Sequence, residues 1–146
     1  MFEQDTINHH IQRRILSVLC YRKVARFRDL RPPRGDTNLF SYHLKVLQHH
    51  QLVQKVPGGY SLAPRGLVYV DRVSTDTMLV RTQPKIVTML VVQNSNGDVL
   101  LQQRTKQPYI DTWTLPYGKL HIDDRSIQAA AQREAAEKIG AVDLVL

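Results

Sequence analysis

The chain contains a single cysteine, Cys20, among 146 residues. That excludes an internal disulfide and fits a reducing cytoplasm. No apolar run approaches the length of a membrane span, and the opening residues, MFEQDTINHH, are too polar for a secretory signal. No repeat and no low-complexity tract is present. His9-His10 and His49-His50 are the only histidine pairs, and adjacent helical positions point about 100° apart, so neither pair makes a chelate alone. With one thiol available, no metal site of the Cys/His type is expected. Cys20 reads as a core filler and His43 as a packed helix residue.

Acidic residues are scarce in one half. Residues 1–75 hold 12 Lys+Arg against 5 Asp+Glu, whereas residues 76–146 hold 8 of each. The whole net charge of +7 therefore sits in the first half, the electrostatic footprint expected of a nucleic-acid-binding module.

The pattern beneath that charge is helical. Ile11, Ile15, Val18 and Leu19 form one stripe over 9–21. Phe27 and Leu30 suit a short second helix closed by Pro32-Pro33 and Gly35. Asp36 or Thr37 can cap a third, in which Phe40, Leu44 and Leu47 recur at i, i+4 and i+7. Val53-Gln54-Lys55-Val56, Pro57-Gly58-Gly59 and Tyr60-Ser61-Leu62 read as a two-stranded ribbon, and a fourth helix is expected from about Leu67 to Val73. The segment 38–53, NLFSYHLKVLQHHQLV, resembles the recognition helix of ArsR-like winged-helix regulators, with Ser41, His43, Leu44, Leu47, Leu52 and Val53 fitting that form. Tyr60 to Gly66 resembles the exit from the wing, with Ala63 replacing a threonine. The resemblance spans about 7–73 and implies a winged helix-turn-helix that binds double-stranded DNA, in which Asn38, Ser41, Tyr42 and Lys45 face outward and Arg34 and Lys55 flank them. An exposed helix of this kind fits the major groove, where amides and hydroxyls read base edges and lysine takes phosphate.

The second half has a different grammar. Residues 85–93 (KIVTMLVVQ) and 99–104 (VLLQQR) are rich in aliphatic and β-branched residues, and Asn94-Ser95-Asn96-Gly97-Asp98 between them is turn chemistry, so a β-hairpin is expected. Residues 113–119 (WTLPYGK) follow as a further strand and turn. Gly118 to Gly140, GKLHIDDRSIQAAAQREAAEKIG, then resembles the Nudix box through Gly118, Arg133, Glu134, Glu137 and Gly140. Two positions depart from that pattern. Lys138 stands where the family has a second paired glutamate, and Asp124 precedes Arg133 by nine positions where the family's acidic residue precedes its arginine by eight. Asp123, Asp124 and Ser126 also suit a helix start.

In the Nudix pattern, positions 134, 137 and 138 share one helix face, and three carboxylates there would form an oxygen nest for Mg²⁺. This chain places two acids and one base on that face, and Glu134 with Lys138 is also a favourable i,i+4 pair. The resemblance implies that Glu134 and Glu137 are the catalytic and metal-holding residues if the box is active, and that Arg104, Gly118, Lys119 and Arg133 meet the substrate. No cofactor is required otherwise. It further implies a domain about twice as long as the stretch present, so 84–146 is expected to be an incomplete Nudix-type α/β/α domain.

Together these patterns imply an α+β chain. A winged helix-turn-helix occupies 1–75, a linker 76–83 and the Nudix-like piece 84–146. The function they favour is a cytoplasmic, homodimeric transcriptional regulator that binds DNA and senses a nucleotide-type or phosphorylated metabolite without hydrolysing it. The alternative is a Mg²⁺-dependent hydrolase of a nucleoside diphosphate derivative such as ADP-ribose.

Overall fold

The computed structural model describes residues 7–74, 77–81 and 84–140. It mixes helices with small two-stranded sheets and divides into two compact units. Unit 1 comprises Met1–Thr82 together with Thr105–Asp111, and unit 2 comprises Gln83–Arg104 and Thr112–Leu146.

Unit 1 begins with α1 (His10–Cys20). His9 caps it: its Nδ1 accepts the Ile11 N–H at 3.3 Å, and Gln12 Oε1 accepts the His9 N–H at 3.2 Å, so two orphan donors of the first turn are satisfied. The buried stripe of α1 is wider than one helical face, because Leu16 is fully buried alongside Ile15 and Leu19 while Val18 only packs against the core. This helix meets α2 (Phe27–Leu30), α3 (Thr37–His49) and α4 (Pro64–Arg72), which cover it from several sides. Asp36 caps α3, accepting the Asn38 N–H at 2.7 Å and the Leu39 N–H at 3.4 Å.

Phe27 and Phe40 meet edge to face with centroids 4.9 Å apart, a geometry that the ring quadrupoles favour. Phe40, Leu30 and Leu47 are fully buried, and each such side chain stabilises the fold by roughly 1.5–3 kcal/mol. β1 (Val53–Val56) and β2 (Gly59–Leu62) pair antiparallel from Val53 with Leu62 to Val56 with Gly59. Ala25 exchanges two backbone hydrogen bonds with Tyr60, each 2.9 Å long, and so extends that ribbon.

Helix α4 starts at Pro64, three residues before the position expected from the apolar spacing. Proline at the first helical position has its φ preset and needs no intrahelical donor. Gly66 is required there because a Cβ would lie 2.0 Å from the Leu52 carbonyl oxygen, an oxygen that already accepts the Ala63 N–H at 3.0 Å.

Within the stretch read as a linker, residues 77–81 belong to this core. Met78 is 3 % exposed, its carbonyl accepts the Tyr69 hydroxyl at 2.9 Å, and Val73 bridges to Val80. Residues 75–76 and 82–83 of that stretch lie outside the described residues. A second segment, 105–111, also belongs to unit 1. The Gln107 N–H donates to the Cys20 carbonyl at 2.8 Å, and Lys23 pairs with Asp111 at 2.8 Å.

Unit 2 is built on β3 (Val87–Met89), which pairs antiparallel with β6 (Tyr117–Lys119) in the register Val87 with Lys119, Thr88 with Gly118 and Met89 with Tyr117. β4 (Gln102–Gln103) pairs with β5 (Trp113–Thr114). The expected hairpin over 85–104 is realised only near its turn, where Gln93 bridges Val99 and the Leu100 N–H donates to the Val92 carbonyl at 2.9 Å. Asn94 ties that turn by accepting the Asn96 and Asp98 N–H groups, both at 2.9 Å. The main partner of β3 is instead β6.

Helix α5 (Ile127–Ile139) lies on this sheet, with Ala131 and Ala135 packed against Leu90. Ser126 caps it through the Ala129 N–H at 3.0 Å. Asp123 and Asp124, the other candidates for that role, do not serve as the cap. Met89 and Val91 are 58 % and 65 % exposed. The strand expected after Gly140 lies outside the described residues.

Candidate functional site

In unit 2 the sheet and α5 bring the motif residues together around one buried carboxylate. Glu134 is 5 % exposed and lies directly over Gly118. A Cβ on Gly118 would fall 1.5 Å from Glu134 Cδ and 1.9 Å from both carboxylate oxygens. Gly118 is therefore glycine because an acid occupies the space of its side chain, a reason that no spacing pattern discloses.

Both oxygens of Glu134 are engaged by cations. Oε1 accepts from Arg133 Nη1 at 2.9 Å, and Oε2 meets Lys138 Nζ at 3.1 Å. Burial alone would raise the pKa of Glu134, but the hydrogen bonds from Arg133 and Lys138 outweigh it and hold the group below its ordinary value.

Arg133 is the hub of this network. Its Nε donates to Asp124 Oδ1 at 3.0 Å and its Nη2 to Asp124 Oδ2 at 2.8 Å, a two-pronged pair. Nη1 also reaches Glu137 at 3.3 Å, and Nη2 donates to the Lys119 carbonyl at 3.0 Å. Held first by Asp124 and then by Glu134, the guanidinium is driven further toward its charged form. Asp124 in turn drops to about 2, chiefly through Arg133 and then through the His121 N–H. Nine positions of spacing thus still deliver the Asp124 carboxylate to Arg133.

The remaining candidates lie around this network. Glu137 is an exposed acid whose side chain retains 56 % of its accessible surface. Lys119 meets Arg133 through its backbone, and its side chain is exposed. Arg104 donates from Nη1 to the Tyr117 hydroxyl, and its guanidinium sits 5.2 Å from the Tyr117 ring centroid. Lys138 Nζ lies 5.2 Å from the same centroid and Lys85 Nζ 5.7 Å from it. Neither Lys85 nor this ring-centred cluster follows from the motif.

As placed, these residues do not fit a magnesium ion. Mg²⁺ takes oxygen ligands in near-octahedral geometry, whereas each oxygen of Glu134 faces a side-chain cation. Among the described residues, no group of three or more His, Cys, Asp or Glu could hold a metal.

In unit 1 the exposed face of α3 carries Asn38, Tyr42 and Lys45, spaced so that they share one side of the helix. Tyr42 is 61 % exposed, and Ser41 is partly buried beside it. Arg34 is exposed just ahead of the helix, and Lys55 is exposed on β1. Leu39, an apolar residue outside the polar pattern, is also exposed on α3. On the inner side, His43 is buried and stacks on His9 with ring centroids 3.8 Å apart. The Cys20 thiol is pushed up to about 11 by burial, so it stays protonated and unreactive at neutral pH.

Among the described residues, no helix is long and apolar enough to cross a membrane. No curated protein and no solved structure matches the chain. The NUDIX domain model does match, over residues 83–146, the stretch that supplies Gly118, Asp124, Arg133, Glu134 and Glu137. A Nudix domain therefore occupies residues 83–146.

Proposed function

We propose that this chain is a DNA-binding transcriptional regulator whose Nudix domain recognises a nucleotide-type or phosphorylated metabolite without hydrolysing it. The observation that carries the second half is the state of Glu134. The carboxylate that would have to serve a metal is neutralised on both oxygens by Arg133 and Lys138. A hydrolase would need that acid for chemistry, so recognition is the role left to the fold.

The first half rests on the order of elements in unit 1, three helices, a ribbon and a fourth helix, on the polar outer face of α3, and on a net charge of +7 confined to residues 1–75. In this reading unit 1 is a winged helix-turn-helix. Lys45, Lys55 and Arg34 meet phosphates, and Asn38, Ser41 and Tyr42 meet base edges. Phosphate contacts supply most of the affinity and base contacts the selectivity. A homodimer would place two α3 helices on paired half-sites, and the working environment is the cytoplasm.

The test is fluorescence anisotropy with labelled duplexes over a range of salt. Affinity should fall steeply with salt, and Lys45→Ala should weaken binding to all duplexes alike and flatten the salt slope by about one. Absence of salt-dependent affinity for any duplex removes the regulator reading.

A further inference from the structure

We infer that Lys138 stands in for the divalent cation of the Nudix box, and that Lys85, Arg104 and Lys138, gathered round Tyr117, form a metal-independent site for a diphosphate group. The inference rests on the metabolite-recognition part of the proposed function and specifies its chemistry.

The position of the Lys138 ammonium carries the argument first. It lies 3.1 Å from Glu134 Oε2 on the inner side and 5.2 Å from the centre of the Tyr117 ring on another. Its side chain keeps 28 % of its accessible surface, so the charge is anchored yet reachable. An ammonium has three N–H donors. One directed at Glu134 leaves two, and a cation fixed by a buried acid and open to an incoming oxyanion plays the bridging part that a metal plays between carboxylate and phosphate.

The second observation is convergence. Three cationic groups approach one aromatic ring, at 5.2, 5.2 and 5.7 Å from its centroid. Ring quadrupole attraction favours each contact, but like charges drawn to one ring also repel one another, and an anion seated among them relieves that repulsion. A diphosphate offers several acceptor oxygens and more than one negative charge, so it suits a cluster of cations better than a single carboxylate does. Arginine is suited to two-pronged contact with such oxygens, and lysine acts as a point charge.

The experiment is calorimetric titration of the full chain with inorganic pyrophosphate, once in excess EDTA and once in Mg²⁺, repeated with ADP. The expected result is binding in EDTA at least as tight as in Mg²⁺. Lys138→Gln and, separately, the exposed Lys85→Gln should each weaken it about tenfold, the loss of one charge-assisted contact. Lys85→Gln guards against a Lys138 variant that loses affinity only by perturbing Glu134. Binding by ADP but not pyrophosphate shows that the diphosphate is read as part of a nucleotide and supports the site. Binding that appears only with Mg²⁺ overturns the metal-independent site while leaving metabolite recognition intact. Failure of both probes under both conditions overturns the site and metabolite recognition together.

Discussion

Gly118→Ala tests the packing on which the site stands. The new methyl would lie 1.5 Å from Glu134 Cδ and 1.9 Å from each of its oxygens, whereas real contacts of this kind stay beyond 3.0 Å. The carboxylate must therefore retreat by about 1 Å or more in an interior that is already close-packed. It cannot do so freely, because its oxygens are held by Arg133 at 2.9 Å and by Lys138 at 3.1 Å. Overpacking costs about 1–3 kcal/mol, and breaking a buried pair costs about 3–5 kcal/mol. The second figure is an upper bound here, since Arg133 and Lys138 are partly solvated. A net loss of about 3 kcal/mol is the expected outcome. It should appear in urea unfolding followed at Trp113, the chain's only tryptophan, which lies on β5 in unit 2, with circular dichroism as the second probe. The decisive measurement is the double-mutant cycle with Glu134→Ala, which removes the obstructing carboxylate. The alanine at 118 should then cost far less, giving a coupling of about 1–3 kcal/mol. Additive effects would refute the claim that Glu134 is what requires glycine at 118.

Lys138→Glu replaces the ammonium by the family's carboxylate, so Mg²⁺ should raise the unfolding midpoint of unit 2 in this variant and leave the wild type unmoved; a metal-dependent shift in the wild type would contradict the geometry described. Asp124, held down to about 2 by Arg133 from an ordinary value near 3.8, contributes stability that is fully present above 3.8 and is lost as pH falls toward 2. The acid limb of a thermal-unfolding series should therefore be shallower in Asp124→Asn, and an unchanged limb would remove Arg133 as the cause. His43 has the opposite chemistry. Burial first, then His9 and His10, lower its pKa from 6.5, so the folded chain favours the neutral ring and unit 1 should lose stability as pH drops below 6.5. His43→Gln should remove part of that dependence in hydrogen exchange of α1 and α3 amides.

Some of this arrangement is written plainly in the sequence. Phe40, Leu44 and Leu47 recur at helical spacing and are the buried side of α3; Asp36 precedes the helix and caps it. Local rules suffice where neighbours in sequence decide the outcome. Elsewhere they do not. Three acceptors stand near the start of α5, and Ser126 becomes the cap because Asp124 is held by Arg133, nine residues ahead. Residues 85–93 are rich enough in aliphatic and β-branched residues for a strand, yet that composition cannot say that β3 pairs with β6 across about thirty residues. That pairing is set by Thr88 and Leu90 facing α5, a tertiary fact. The pairs that tie 105–111 into unit 1 involve a backbone carbonyl and an exposed Lys–Asp contact, neither of which leaves a periodic trace.

The two departures from the Nudix pattern, unrelated in the linear sequence, become one feature in three dimensions. Asp124 meets Arg133, Arg133 meets Glu134 and Glu137, and Lys138 meets Glu134. Every acid in this chain of contacts has a side-chain cation as its partner, so the carboxylates are committed to the protein's own bases. Had Lys138 been glutamate, Glu134 would carry an uncompensated oxygen in a buried place, and an external cation would be needed to neutralise it. With lysine there, neutralisation is internal and does not depend on metal supply. What a divalent ion would gain and lose with its surroundings becomes a constant part of the fold. In the proposed reading, the domain keeps a scaffold that places charge beside a diphosphate, and Lys138 takes the place of the ion by which such a scaffold would act on it.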